Sequence, residues 1–164
     1  MNHSILGARG KITDPESTVK RINEWSRSRK AHALAVDARA VFGRDHIESA
    51  ARHAERAQAS RTMSSRTLEM ETLLYLSGRR QVVDAIRSAG LLEGTDSIGL
   101  IVWHMERPDD LVRLLGWRRD DQVLDSAGKS LEVLGVTKTE QGTVREIAAA
   151  DLALERVALL DVTK

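Results

Sequence analysis

Three arginines and a glutamine are the side chains of this chain best suited to holding an anion. Arg66 stands near the start of the segment Ser64 to Gly90, and Arg79, Arg80 and Gln81 lie together inside it. That segment, SSRTLEMETLLYLSGRRQVVDAIRSAG, reads as two short amphipathic helices hinged at Ser77-Gly78. Arg79 and Arg80 fall at the start of the second helix, where unpaired backbone N–H groups also favour an anion. Arginine pairs bidentately with phosphate and stacks on a base, and the Gln81 amide adds hydrogen bonds. The same residues also fit solvated surface arginines, or the pairing of one of them with Glu71 across the turn.

Other chemistry has weaker support. The chain has no cysteine, so it has no disulfide, no zinc–thiolate site, no iron–sulfur cluster and no thiol nucleophile. Of the five histidines, His46 and His53 share a helix face. Seven residues put them two turns apart, about 10 Å, too far for one ion. There is no HExxH pair, no GxSxG elbow, no Walker loop and no kinase catalytic loop. Gly7-Ala8-Arg9-Gly10 has the GxxG form of an RNA-clamping loop, but its surroundings do not read as a KH domain. Asp109-Asp110 and Asp120-Asp121 sit in polar connections, where acidic residues cap helices or stay solvated. The expectation is a non-enzymatic chain without metal or cofactor. The competing reading is a small stand-alone enzyme of unknown substrate.

The elements that carry these residues can be read in order. Ile5 to Ile12 forms a strand and turn, and Asp14-Pro15 opens a helix bearing Val19, Ile22 and Trp25. Ala33 to Val36 is a strand. A helix from about Asp45 to Gln58 carries the stripe Ile47, Ala50, Ala51, Ala54 and Ala57. After the hinged pair, with Gly90 as its C-cap, Ser97 to Trp103 is an apolar strand buried on both faces. A helix begins at Pro108-Asp109. Asp120 to Asp125 is a polar connection with room for a short strand. Ser130–Leu134 and Glu140–Ala150 read as helical, and Val157, Leu159 and Leu160 fit a last strand better than a helix end. The fold expected is α+β: one domain over residues 1–164, with a small mixed β-sheet covered by helices.

The length of 164 residues suits one domain, and an apolar share of 41% suits a globular core. Aromatics make up only 3%, so that core must be aliphatic. Net charge is +1, but residues 1–90 hold 16 Lys+Arg against 10 Asp+Glu, and residues 91–164 hold 9 against 14. The halves are thus +6 and −5, which hints at an anionic partner on one side and a different partner on the other. Without a signal sequence or a run of about 20 apolar residues, a cytoplasmic protein without membrane contact is expected.

Taken in order, the residues resemble a known family. SILGARGKI, VDARAVFGRDHIESAARHA, the hinged segment with its Glu71, Ser77-Gly78, Arg80-Gln81, Ala85-Ile86 and Gly90, and the ending LERVALLDVTK are similar to the kinase-binding regulatory subunit of the KEOPS complex, in its archaeal form. Arg66 departs from the asparagine that the family often has there, and residues 104–130 carry no likeness. The resemblance implies a non-catalytic subunit that binds the small KEOPS kinase/ATPase and tRNA, including the single-stranded 3′ CCA end. It would thereby support threonylcarbamoyladenosine formation, with the transfer performed on a separate threonylcarbamoyl-transferase subunit. It assigns Arg79, Arg80 and Gln81, with Arg66 and His46, to tRNA, and Ile147, Leu152 and Leu154 to the kinase.

Overall fold

A computed structural model describes residues 1–105, 107–142 and 149–163. The chain runs β1 (His3–Arg9), α1 (Pro15–Arg29), β2 (His32–Asp37), α2 (Arg44–Ala59), α3 (Leu68–Ser77), α4 (Val82–Ala89), β3 (Ser97–Trp103), α5 (Asp109–Leu114), β4 (Arg118–Arg119), α6 (Lys138–Gly142) and α7 (Ala149–Thr163). Short 3-10 turns cover Ala38–Ala40, Asp121–Leu124 and Leu131–Leu134. The architecture is α+β.

The four strands lie in the order β2-β3-β1-β4, and every pairing is antiparallel. A mixed sheet was expected because helices link the strands. β1 and β2 do point the same way, but β3 sits between them and opposes both. As expected, β3 is buried on both faces. Ile98, Leu100 and Val102 pack with Ile22 and Trp25 of α1 and Leu111 and Val112 of α5. Ile101 and Trp103 face the other layer, made by α2, α3, α4 and α7. The alternation follows from the two-residue period of a strand.

The small stripe of α2 does what its residue types allow. Ile47, Ala50, Ala51, Ala54 and Ala57 are all buried in the core, and alanines let the backbone of α3 come close. Gly7 has a packing duty: a Cβ there would lie 2.4 Å from the Asp120 carbonyl and 2.6 Å from Val123. The GxxG sequence is therefore part of β1 and its edge. α1 begins as its sequence requires, with the Asp14 carboxylate accepting from the Ser17 N–H at 3.1 Å. Val19, expected on the inner face of α1 with Ile22 and Trp25, is instead 43% exposed.

The C-terminus differs from expectation. Val157, Leu159 and Leu160 belong to the helix α7, not to a strand. Its inward residues are Ala153, Val157 and Leu160, spaced four and three apart. α7 packs on α2 and α3, in the helical layer over one face of the sheet.

Candidate binding surfaces

The hinged segment is an αα-hairpin, and its joint is firmly built. Thr67 caps α3, accepting from the Met70 N–H at 3.2 Å. Gly78 ends α3 in the left-handed region (φ 65°), where glycine costs little, and the Arg79 N–H returns to the Leu74 carbonyl at 3.2 Å. Gln81 precedes α4 without a side-chain cap, so the first N–H groups of that helix remain open. Gly90 follows α4 in extended conformation. Its lack of a side chain matters for space, because a Cβ would lie 2.6 Å from the Ile86 carbonyl.

The five residues assigned to RNA separate into four settings. Arg80 and Gln81 are exposed at the joint. Arg79 beside them is half-buried, and its guanidinium lies over the turn at Leu131–Gly135. Its Nη2 donates to the Val133 carbonyl at a long 3.5 Å, and its Nε is buried without a hydrogen-bond partner among the described residues. Arg66 is exposed at the other end of α3. Ten helical residues, about 15 Å, separate it from the joint.

His46 is fully buried and offers no surface to RNA. Its Nδ1 accepts from the Phe42 N–H at 3.1 Å, and its Nε2 lies 3.1 Å from the Leu76 carbonyl at the end of α3. Burial pushes its pKa down to about 4, and nearby Lys129 acts the same way. The neutral ring ties α2 to the underside of the joint, so His46 supports the hairpin from within. Glu71 works in the same layer. Its carboxylate accepts from the N–H groups of Ser64 and Ser65, at 3.0 and 2.9 Å, and from the Ser65 hydroxyl at 2.9 Å. It is turned toward the entry of α3 and holds the loop that carries Arg66.

A second surface lies on α7. Beyond its buried stripe, the helix is fixed by Asp161, which accepts from the Tyr75 hydroxyl and pairs with His53 Nδ1 at 2.6 Å. Burial and the facing Asp161 raise the Tyr75 pKa. Leu154, Ala158 and Val162 recur every four residues on the outward side, with Leu159 beside them. Val162 is 81% exposed and Leu159 43%. The acidic Asp151 and Glu155 are exposed along the same outer side. Of the residues assigned to the kinase, Leu154 is half-buried on this stripe. Leu152 leans on a small cluster with Phe42, Leu131, Leu134 and Val136. Ile147 lies outside the described residues. Sequence reading missed Leu159 and Val162 because it favoured a strand there. A helical period through Ala153, Val157 and Leu160 was the available signal.

Among the described residues no group of three or more His, Cys, Asp or Glu side chains is placed to hold a metal ion, and no helix is long and apolar enough to cross a membrane. The chain is a small α+β protein with Arg80 and Gln81 exposed at the hairpin joint and Leu159 and Val162 exposed on α7. Residues 11–153 match the family described as kinase binding protein CGI-121, and the chain belongs to that family. A comparison with curated proteins gives no significant match.

Proposed function

We propose that this chain is a non-catalytic, cytoplasmic regulatory subunit of a KEOPS-type complex, joining the small kinase/ATPase to tRNA. The observation that carries the reading is the apolar outer stripe of α7 in a chain of the kinase-binding family. Leu154, Leu159 and Val162 supply apolar contacts to the kinase, and Asp151 and Glu155, interleaved with them on the same outer face, suit a basic partner surface. A specific interface would bury roughly 1,200–2,000 Å² in total, so neighbouring elements would contribute as well.

The hairpin takes the RNA. Arg80, Gln81 and the open N–H groups of α4 meet one phosphate-bearing stretch, with Arg79 able to swing from the 131–135 turn, and Arg66 meets another along α3. Threonylcarbamoyl transfer then occurs on the separate transferase subunit, which this chain serves by presenting the substrate. Arginine planes must supply the stacking on unpaired bases, because the aromatic ring closest in sequence, Tyr75, is buried. Removal of the 3′ CCA should weaken tRNA binding by about tenfold or more, the loss expected of one good base stack. Gel-shift titrations of intact and trimmed tRNA at one salt concentration test this. Co-elution with the KEOPS kinase on a sizing column tests the other half, and two separate peaks at micromolar concentrations would remove the kinase reading.

A further inference from the structure

A pocket of about 390 Å³ lies where three elements meet: the 3-10 turn Ala38–Ala40 after β2, the second half of α4, and residues 128–133 leading into the turn Leu131–Leu134. Small-molecule sites have volumes of roughly 300–1,000 Å³. Three cations line the pocket, Arg39, Arg87 and Lys129, against one carboxylate, Asp37. None of the four belongs to the kinase or the tRNA surface.

The carboxylate is already used. Asp37 is buried, and it accepts from the Arg39 N–H at 3.0 Å, from the Arg39 guanidinium at 2.7 to 3.2 Å and from the Thr95 hydroxyl at 3.3 Å. These bonds hold the exposed Arg39 side chain in place and leave its Nη1 without a hydrogen bond among the described residues. Lys129 Nζ donates to the carbonyls of Val41 and Val123, both at 2.6 Å, which uses two of its three protons. Burial lowers its pKa to about 8, with Asp125 and Asp37 opposing the shift. Arg87 is exposed and pairs only loosely with Asp84, at 3.8 Å. The Ser88 hydroxyl has no partner among the described residues. Ser130 accepts from the Glu132 N–H at a long 3.4 Å, and its own proton remains to be given. Donors therefore converge on a space whose one acidic group is spent.

We propose that this pocket binds a small molecule carrying a phosphate monoester, of nucleoside monophosphate size. Such a phosphate has a charge of about −1.5 to −2 at pH 7 and three strong acceptor oxygens, which answer Arg39, Arg87, Lys129 and the two hydroxyls. Leu92, 39% exposed, and Val133 give an apolar wall for the rest of the ligand. An internal RNA phosphate is the weaker match, because it carries a single charge. The proposal is independent of the kinase and tRNA assignments.

The test titrates the isotope-labelled full chain with inorganic phosphate, adenosine 5′-monophosphate and adenosine, each at millimolar concentration and low salt. Both phosphates should shift the amide signals of Ser88, Lys129 and Ser130, and the nucleotide should bind about tenfold or more tightly than adenosine, the difference expected of charge-assisted hydrogen bonds. Arg87→Glu, at an exposed position, should keep the folded amide spectrum and weaken nucleotide binding by about tenfold or more. Asp84→Asn removes the carboxylate beside Arg87 and should tighten binding severalfold at low salt. Absence of shifts at those three amides with both phosphates overturns the proposal, and so does equal binding of adenosine and its monophosphate. Phosphate binding that Arg87→Glu leaves unchanged would place the anion elsewhere, with the same consequence. Shifts at the same amides from a single-stranded CCA oligonucleotide without terminal phosphates, but not from the nucleotide, would assign the pocket to RNA and overturn it as well.

Discussion

The α3–α4 hairpin and α7 are neighbours that are held in opposite ways. The hairpin is locked by polar groups placed inside the protein: the Glu71 carboxylate under its entry, the His46 ring under its joint and Gly78 at its turn. Its exposed side chains include Arg80, Gln81 and Arg87, beside Val83, Asp84 and Ile86. α7 is held by the buried Ala153, Val157 and Leu160, by Leu152 against the Phe42 cluster, by Asp161 and by the Arg156–Glu140 pair, and its exposed side chains include Leu159 and Val162 together with Asp151 and Glu155. Buried polar groups with full hydrogen bonding fix one geometry, since any slip leaves a donor or acceptor orphaned. On the proposed reading, the exposed aliphatic residues of α7 gain their remaining burial from a partner. The difference fits one element that must present charges in a fixed arrangement and another that gains its remaining burial on assembly.

Glu71→Ala should give the largest effect. It removes a buried acceptor of at least three hydrogen bonds and should lower stability by roughly 3 kcal/mol, read from denaturant unfolding. An effect below about 1 kcal/mol, near that of one ordinary hydrogen bond, would mean that the polar lock is not what holds the hairpin.

His46 gives the next, through pH. Its folded pKa is depressed to about 4 by burial, against about 6.5 in an unfolded chain. The unfolded state therefore takes up the proton first as pH falls. The stability due to the neutral ring is fully present above pH 6.5 and is lost as pH drops toward 4, by roughly 3 kcal/mol in all. His46→Gln should be less stable at neutral pH and should lack this part of the acid slope. An identical slope in the variant would remove His46 as its source.

Val162→Glu should leave the isolated chain within about 0.5 kcal/mol of its original stability, as an exposed substitution does. It should weaken kinase binding by about thirtyfold or more, about 2 kcal/mol, if α7 is the centre of that interface. Leu154→Glu is a harsher probe, because Leu154 is half-buried. Unfolding by that change would place Leu154 in the core.

The smallest effect belongs to the joint. Arg79→Ala with Arg80→Ala should weaken tRNA binding and flatten its salt dependence by about 0.7 in log–log slope for each lost phosphate contact. Arg80→Ala alone should account for most of it, since Arg79 is spread over the 131–135 turn.

Legibility followed the strength of local signals. Asp14-Pro15, the alanine stripe of α2, Ser77-Gly78 and the apolar run of β3 each carry a short-range physical requirement, and each element formed where that requirement placed it. The antiparallel pairing of the sheet was not legible, because strand order depends on β3 entering between β1 and β2, a choice made by the whole core. α7 was misread because Val157, Leu159 and Leu160 satisfy both periods over so short a span. For the binding surfaces, residue type located the basic joint but could not tell exposed Arg80 from tucked Arg79. It also gave no sign that His46 is enclosed, since a histidine near a helix start suits surface and core equally well.

The central claim is that two separate surfaces serve two partners. The most direct measurement is a paired titration of the Val162→Glu chain and the Arg79→Ala, Arg80→Ala chain, each against the KEOPS kinase and against tRNA. The account predicts a crossed result: the α7 variant loses the kinase and keeps tRNA, and the joint variant loses tRNA and keeps the kinase. Loss of both partners in either folded variant, or of neither in both, would contradict it.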